Sequence, residues 1–125
     1  MKKYIKLLLI VSLFLFLSAC SHSSHSKSSN QNTRPKVRLI LKKDKSVLDK
    51  KVTFKKGQTV MAVLKKHYKV VENNGFITEI DGLKQDQVAK KYWMFDINGK
   101  VAPKAANQIK VKSGDVITFY QKVYK

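Results

Sequence analysis

The chain has one cysteine, Cys20, among 125 residues, so no intrachain disulfide can form and the region beyond residue 20 offers no thiol for catalysis or metal binding. Acidic side chains are scarce. Eight Asp and Glu face 26 Lys and Arg, a formal net charge of +18. A nucleophile elbow, a phosphate loop and a paired-histidine helix are all missing, which excludes the common routes to catalysis, and no enzyme is expected. Despite the charge there is neither a compact basic motif nor an alternation of basic and aromatic residues, so nucleic acid is not an expected partner. The chain also lacks an apolar run of membrane-spanning length. A spanning helix needs about 20 apolar residues, and the stretch Leu7 to Leu17 has eleven, interrupted by Ser12.

What that run does have is a cationic start, MKKYIK, and a small-residue end, Ser18-Ala19-Cys20. This is the layout of a secretory signal peptide over residues 1–19. Leu17-Ser18-Ala19-Cys20 resembles the lipobox of bacterial lipoproteins, which implies cleavage before Cys20 and lipidation of its side chain. Two acyl chains of the palmitate kind on one residue would give durable attachment to the membrane. Removal of residues 1–19 takes away Lys2, Lys3 and Lys6 and lowers the net charge from +18 to +15. The remaining lysines come in scattered pairs, including Lys42-Lys43, Lys50-Lys51 and Lys90-Lys91. They read as a solvated basic surface beside anionic lipid or cell-wall polymer.

Residues 20–35 follow as a tether. From Ser21 to Pro35 no aliphatic or aromatic side chain is available for burial. Its r.m.s. span is about 20 Å for a flexible chain of that length. His22 and His25 within it fall short of a metal coordination shell, so no metal site is expected there.

Residues 36–125 read as one α+β domain. Val37, Leu39 and Leu41 alternate with polar residues, and Lys43-Asp44-Lys45-Ser46 supplies a turn before a second strand near Val47 to Phe54. Thr59 can cap a helix of about ten residues carrying Val60, Val63, Leu64 and Tyr68 on one stripe. His67 has no second ligand at i+3 or i+4 and is expected to pack at the edge of that stripe or to face solvent there, without ligating a metal. Further strands are expected at Phe76 to Ile80, Tyr92 to Ile97, Gln108 to Lys112 and Val116 to Tyr124, with Asn98-Gly99 as a tight hairpin turn. The order predicts a roll in which an N-terminal hairpin and later C-terminal strands form a mixed sheet crossed by one helix.

Four blocks carry a family resemblance: Gly57-Gln58-Thr59-Val60 with Leu64, the run from Gly75 to Gly82, Tyr92-Trp93-Met94 with Asn98-Gly99-Lys100, and Ser113-Gly114-Asp115 with Phe119. They resemble a domain of bacterial surface lipoproteins that is similar to the C-terminal domain of the cobalamin carriers transcobalamin and intrinsic factor. The resemblance implies a β-grasp-like fold, a lipid-anchored place on the outer face of a Gram-positive cell membrane, and cobalamin or another corrinoid as a candidate ligand. In those carriers cobalamin lies between this small domain and a helical one that this chain has no room for. A partner protein is therefore expected to complete such a site.

The densest aromatic stretch is YWMFD, Tyr92 to Asp96. Strand parity places Trp93, Phe95 and Ile97 on one face and Tyr92, Met94 and Asp96 on the other. The first face reads as core; the second reads either as a partly exposed patch or as a surface under the loop from Leu83 to Lys91. Tyr92 and Trp93 with the Asp81-Gly82-Leu83 turn are the candidate ligand-binding residues, an aromatic and amide-rich edge suited to a large planar molecule. Asp81 and Asp96 are each expected to stabilise a turn. The alternative function is an adhesion or assembly module that binds a protein or an anionic cell-surface polymer and no small ligand.

Overall fold

The structure is a computed structural model that describes residues 34–125. The expected signal peptide, Cys20 and the tether as far as residue 33 lie outside the described residues.

The fold starts with the expected hairpin. Strand β1 (Lys36–Lys43) pairs antiparallel with β2 (Ser46–Thr53) through a two-residue turn at Asp44 and Lys45. Helix α1 (Val60–His67) follows, shorter than the expected ten residues. Thr59 is its N-cap, the hydroxyl accepting from Ala62 N at 3.1 Å. Two further N-terminal amides are satisfied from outside the helix: Val60 N donates to Ile109 O at 2.8 Å and Met61 N to Ala106 O at 3.0 Å.

Next come β3 (Val70–Asn73), β4 (Phe76–Ile80) and β5 (Leu83–Lys84), which form a small antiparallel sheet in that order. Strand β6 (Lys91–Ile97), β7 (Lys100–Val101) and β8 (Val116–Val123) complete the larger sheet, ordered β2-β1-β8-β6-β7. Within it β8 runs parallel to β1 and antiparallel to β6, so the sheet is mixed. An N-terminal hairpin beside the last strand, with a helix across one face, is the β-grasp-like α+β roll.

Residues 108–112 depart from expectation. Only Lys110 makes a bridge, to Thr59, and the segment is otherwise irregular. Ile109 and Val111 alternate as a strand would, but the backbone is used to cap the helix and to reach Gln58 O from Val111 N.

One face of the larger sheet is the core. Val37, Leu39 and Leu41 of β1, Trp93 and Phe95 of β6 and Ile117 and Phe119 of β8 meet Val60, Met61, Val63 and Leu64 of α1 and Ile77 and Ile80 of β4. Phe95 and Phe119 are directly opposite in register and stack with centroids 5.5 Å apart. The opposite face bears neither helix nor sheet among the described residues, and Tyr92, Met94 and Asp96 lie half-buried on it, which settles the second face of β6 as an open patch.

Candidate functional site

Three segments that are distant in sequence enclose a groove of about 440 Å³. The first is the β3–β4 turn. Asn73 pairs with Phe76, so Asn74 and Gly75 form a two-residue loop with φ of 48° and 85°, the left-handed pair that a type I′ turn requires. Gly75 is demanded twice over, because a Cβ there would sit 2.2 Å from Asn107 Oδ1. The turn leaves Phe76 at the lip of the groove with 71% of its surface exposed.

The second segment is β6, whose Trp93 and Phe95 supply aromatic lining. The indole is fixed by a hydrogen bond from Trp93 Nε1 to Leu83 O at 2.9 Å. The third is the loop Ala102 to Gln108. Ala102 N donates to Phe95 O at 3.0 Å, and Ala106 O is held by the helix N-terminus, so the loop is anchored at both ends. Its contribution is Ala102, Pro103 and Ala105, with Lys104 and Gln108 as polar lining. The result is a mostly apolar cleft whose polar groups are amides and one ammonium. It is built to accept an apolar surface and to hydrogen-bond its margins, and its backbone is already in place.

The five residues singled out from sequence fall in three places. Trp93 lines the groove. Asp81, Gly82 and Leu83 instead line a shallower depression beside Lys43, Asp44 and Lys45 of the β1–β2 turn. Hydrogen bonding joins Leu83 to Trp93, whereas Tyr92 lies on the other face of the sheet with its ring 6.1 Å from that of Tyr124.

The Asp81 carboxylate bonds away from its own turn: it accepts from Lys69 N, twelve residues back, at 2.9 Å and lies 3.8 Å from Lys43 Nζ. Asp96 does not play the turn role expected of it. It lies within β6 and accepts the Tyr120 hydroxyl at 2.9 Å, and burial followed by this carboxylate raises the Tyr120 phenol above its ordinary range.

Sequence reasoning missed Phe76, Pro103, Ala105 and Gln108 as a group. Asn74-Gly75 signals the turn that delivers Phe76, but no local pattern couples it to residues 102–108. At the end of α1, His67 has an enclosed Nε2 without a partner, and burial, then Lys66 and Lys50, pull its imidazole below the usual range. No three His, Cys, Asp or Glu side chains come together among the described residues in a way that could hold a metal.

Several solved structures share the fold, among them these two. One is a proposed metal-binding protein from Ruminococcus gnavus ATCC 29149, at 16% identity and a TM-score of 0.64, covering 74% of this chain and all of that one. The other is haptocorrin in complex with Cbi, at 19% identity and a TM-score of 0.65, covering 73% of this chain and 25% of that one. Identities this low establish the shared architecture and nothing about ligands. The chain thus corresponds to a quarter of haptocorrin. No curated protein matches the sequence. Residues 57–122, more than half of the chain, match the family described as Domain of unknown function (DUF4430), and the chain belongs to that family.

Proposed function

We propose that the chain is a membrane-anchored extracellular binding module, not an enzyme, which takes the edge of a large planar ligand of the corrinoid class in the groove beside Trp93. The observation that carries this reading is Phe76, an aromatic ring left 71% exposed at the lip of a mostly apolar cleft. A large apolar side chain so placed gains by being covered.

A groove of about 440 Å³ lies within the size range of small-molecule sites. It is open on one side, so a corrinoid would be gripped along an edge and a partner protein would cover the remainder. Haptocorrin, which shares the architecture, was solved with Cbi, and that ligand names the class to test. Attachment is assigned to a lipid on Cys20, which would place the domain on the outer face of the cytoplasmic membrane of a Gram-positive cell.

Trp93 is the only tryptophan, so its emission reports on the groove directly. Titration of the chain with cobalamin, corrected for inner-filter absorption, should quench that emission, and Phe76→Ala should weaken binding while leaving the melting temperature unchanged. No change in emission together with no heat at millimolar cobalamin overturns the proposal. The alternative, an adhesion or assembly module for protein or anionic polymer, separates by salt. Stacking in an apolar groove survives high ionic strength, whereas polyanion binding collapses.

A further inference from the structure

The open face of the larger sheet has a composition unlike that of the groove. Register places Lys36, Arg38, Ile40 and Lys42 of β1 on it, beside Val47, Asp49 and Lys51 of β2 and Thr118, Tyr120 and Lys122 of β8, with Tyr92, Met94 and Asp96 of β6 completing it. Its middle is half-buried and mostly apolar: Ile40, Tyr120, Met94 and Tyr92. The rings there are held in place. Tyr120 donates to Asp96, and the Tyr124 hydroxyl contacts Met94 Sδ at 3.4 Å.

Around this middle stand exposed cations. Arg38 is paired with Asp49, its Nε donating to Oδ1 at 2.8 Å, but Lys36, Lys42, Lys51 and Lys122 have no ion pair among the described residues. The two acids of the face are both engaged, Asp49 by Arg38 and Asp96 by Tyr120. What remains without an ion pair is positive, with the Lys122 ammonium lying 5.3 Å from the centre of the Tyr124 ring.

We infer that this face docks flat on an anionic membrane surface. Tyrosines with apolar neighbours suit the headgroup boundary, and unpaired lysines around them suit acidic lipids. A half-buried apolar middle ringed by cations favours a bilayer, which offers an apolar interior beneath charged headgroups, over a polyanion, which offers charge alone. Of the residues named on this face, only Met94 lines either cavity. The chain also enters this sheet at Lys36, sixteen residues after Cys20. If the chain is held at Cys20 as proposed above, that short separation would raise the local concentration of the face at the surface and let a weak docking contact suffice.

The arrangement has a consequence for the site. Trp93 and Phe95 reach the groove from the other side of the sheet, so docking leaves the groove turned away from the bilayer. This orientation rests on the anchorage proposed above; the docking itself does not, and it is tested without the lipid.

The test is sedimentation of unlipidated chain 20–125 with vesicles of phosphatidylglycerol and phosphatidylcholine, against vesicles of phosphatidylcholine alone. Lys42→Glu with Lys122→Glu should weaken binding to the acidic vesicles by about tenfold or more. Lys56→Glu with Lys110→Glu changes the net charge equally, at two exposed positions near the start of the helix and off this face, and should leave binding within about twofold. Melting curves confirm that both variants are folded. Equal losses in the two variants would reduce the effect to whole-molecule charge and overturn the proposal. So would a chain that ignores acidic vesicles but binds polygalacturonate or an oligonucleotide through Lys42 and Lys122.

Discussion

Gly75 joins the two sides of the groove, and replacing it by alanine measures how tightly they meet. Two costs are expected. The backbone there has φ of 85°, a conformation that costs an L side chain about 1 to 2 kcal/mol. The new Cβ would also lie 2.2 Å from Asn107 Oδ1 and 2.6 Å from its Cγ, so Asn107 must move. Overpacking of this kind costs about 1 to 3 kcal/mol, and because Asn107 is an exposed, short side chain that can turn aside, the lower end applies. Together they amount to about 2 to 3 kcal/mol. For a domain of this size each kcal/mol lowers Tm by roughly 4 to 8 °C, so Gly75→Ala should melt about 10 to 20 °C lower. Gly82→Ala is the control: its φ is 82° but nothing lies within 4 Å of its Cβ, so it suffers the backbone cost alone. In Gly75→Ala with Asn107→Ala the clash is gone, and the loss should shrink to that of Gly82→Ala. Thermal unfolding followed by circular dichroism reads all three. Equal losses for the two single variants, with no rescue in the double, would refute the close meeting of the β3–β4 turn and the 102–108 loop.

The elements legible in the sequence are those whose cause is local. The β1–β2 hairpin follows from the alternation of Val37, Leu39 and Leu41 and from Asp44-Lys45, and the helix start from the Thr59 hydroxyl, whose partner is three residues away. Strand β3 is illegible because its four residues, Val70–Asn73, set two valines side by side before two polar residues, so the sequence shows no alternation; the extra residue at the register shift, Thr78, belongs to β4. Residues 108–112 misled in the other direction. Ile109 and Val111 have the period of a strand, yet their backbone groups serve α1 and Gln58, which only the tertiary structure brings near. The groove combines both cases. Parity alone placed Trp93 in the core, where it is 7% exposed, but that position also makes it lining. The wall formed by Ala102, Pro103 and Ala105 has no side chain that announces chemistry, and its place depends on a hydrogen bond to Phe95 O from seven residues further along the chain.

Phe95→Ala removes a core ring stacked on Phe119 and should destabilise the domain by about 3 to 5 kcal/mol in a denaturant titration; a loss below about 1 kcal/mol would contradict its burial. A fragment of residues 36–125 should melt cooperatively and show dispersed amide signals, and a collapsed spectrum would show that the fold needs the preceding segment. Cells expressing the wild type should incorporate a fatty-acid label that cells expressing Cys20→Ala do not; equal labelling would remove the proposed lipid site. Acid stability turns on His67, whose Nε2 is enclosed without a partner. Burial, then the charges of Lys66 and Lys50, hold its folded-state pKa below the ordinary 6.5, so the unfolded chain takes up the proton first. The His67 contribution is therefore complete above about pH 6.5 and is lost as pH falls below it toward the folded value. Asp49, held low by its hydrogen bond from Arg38, has the opposite ionisation but loses its contribution only at lower pH, near and below the usual carboxylate range, so the two windows are separate. His67 is only partly buried, so solvent screening keeps the effect small. Between pH 7.5 and 5.5 the Tm of the wild type should fall by more than that of His67→Gln; parallel curves for the two proteins would place the acid sensitivity elsewhere.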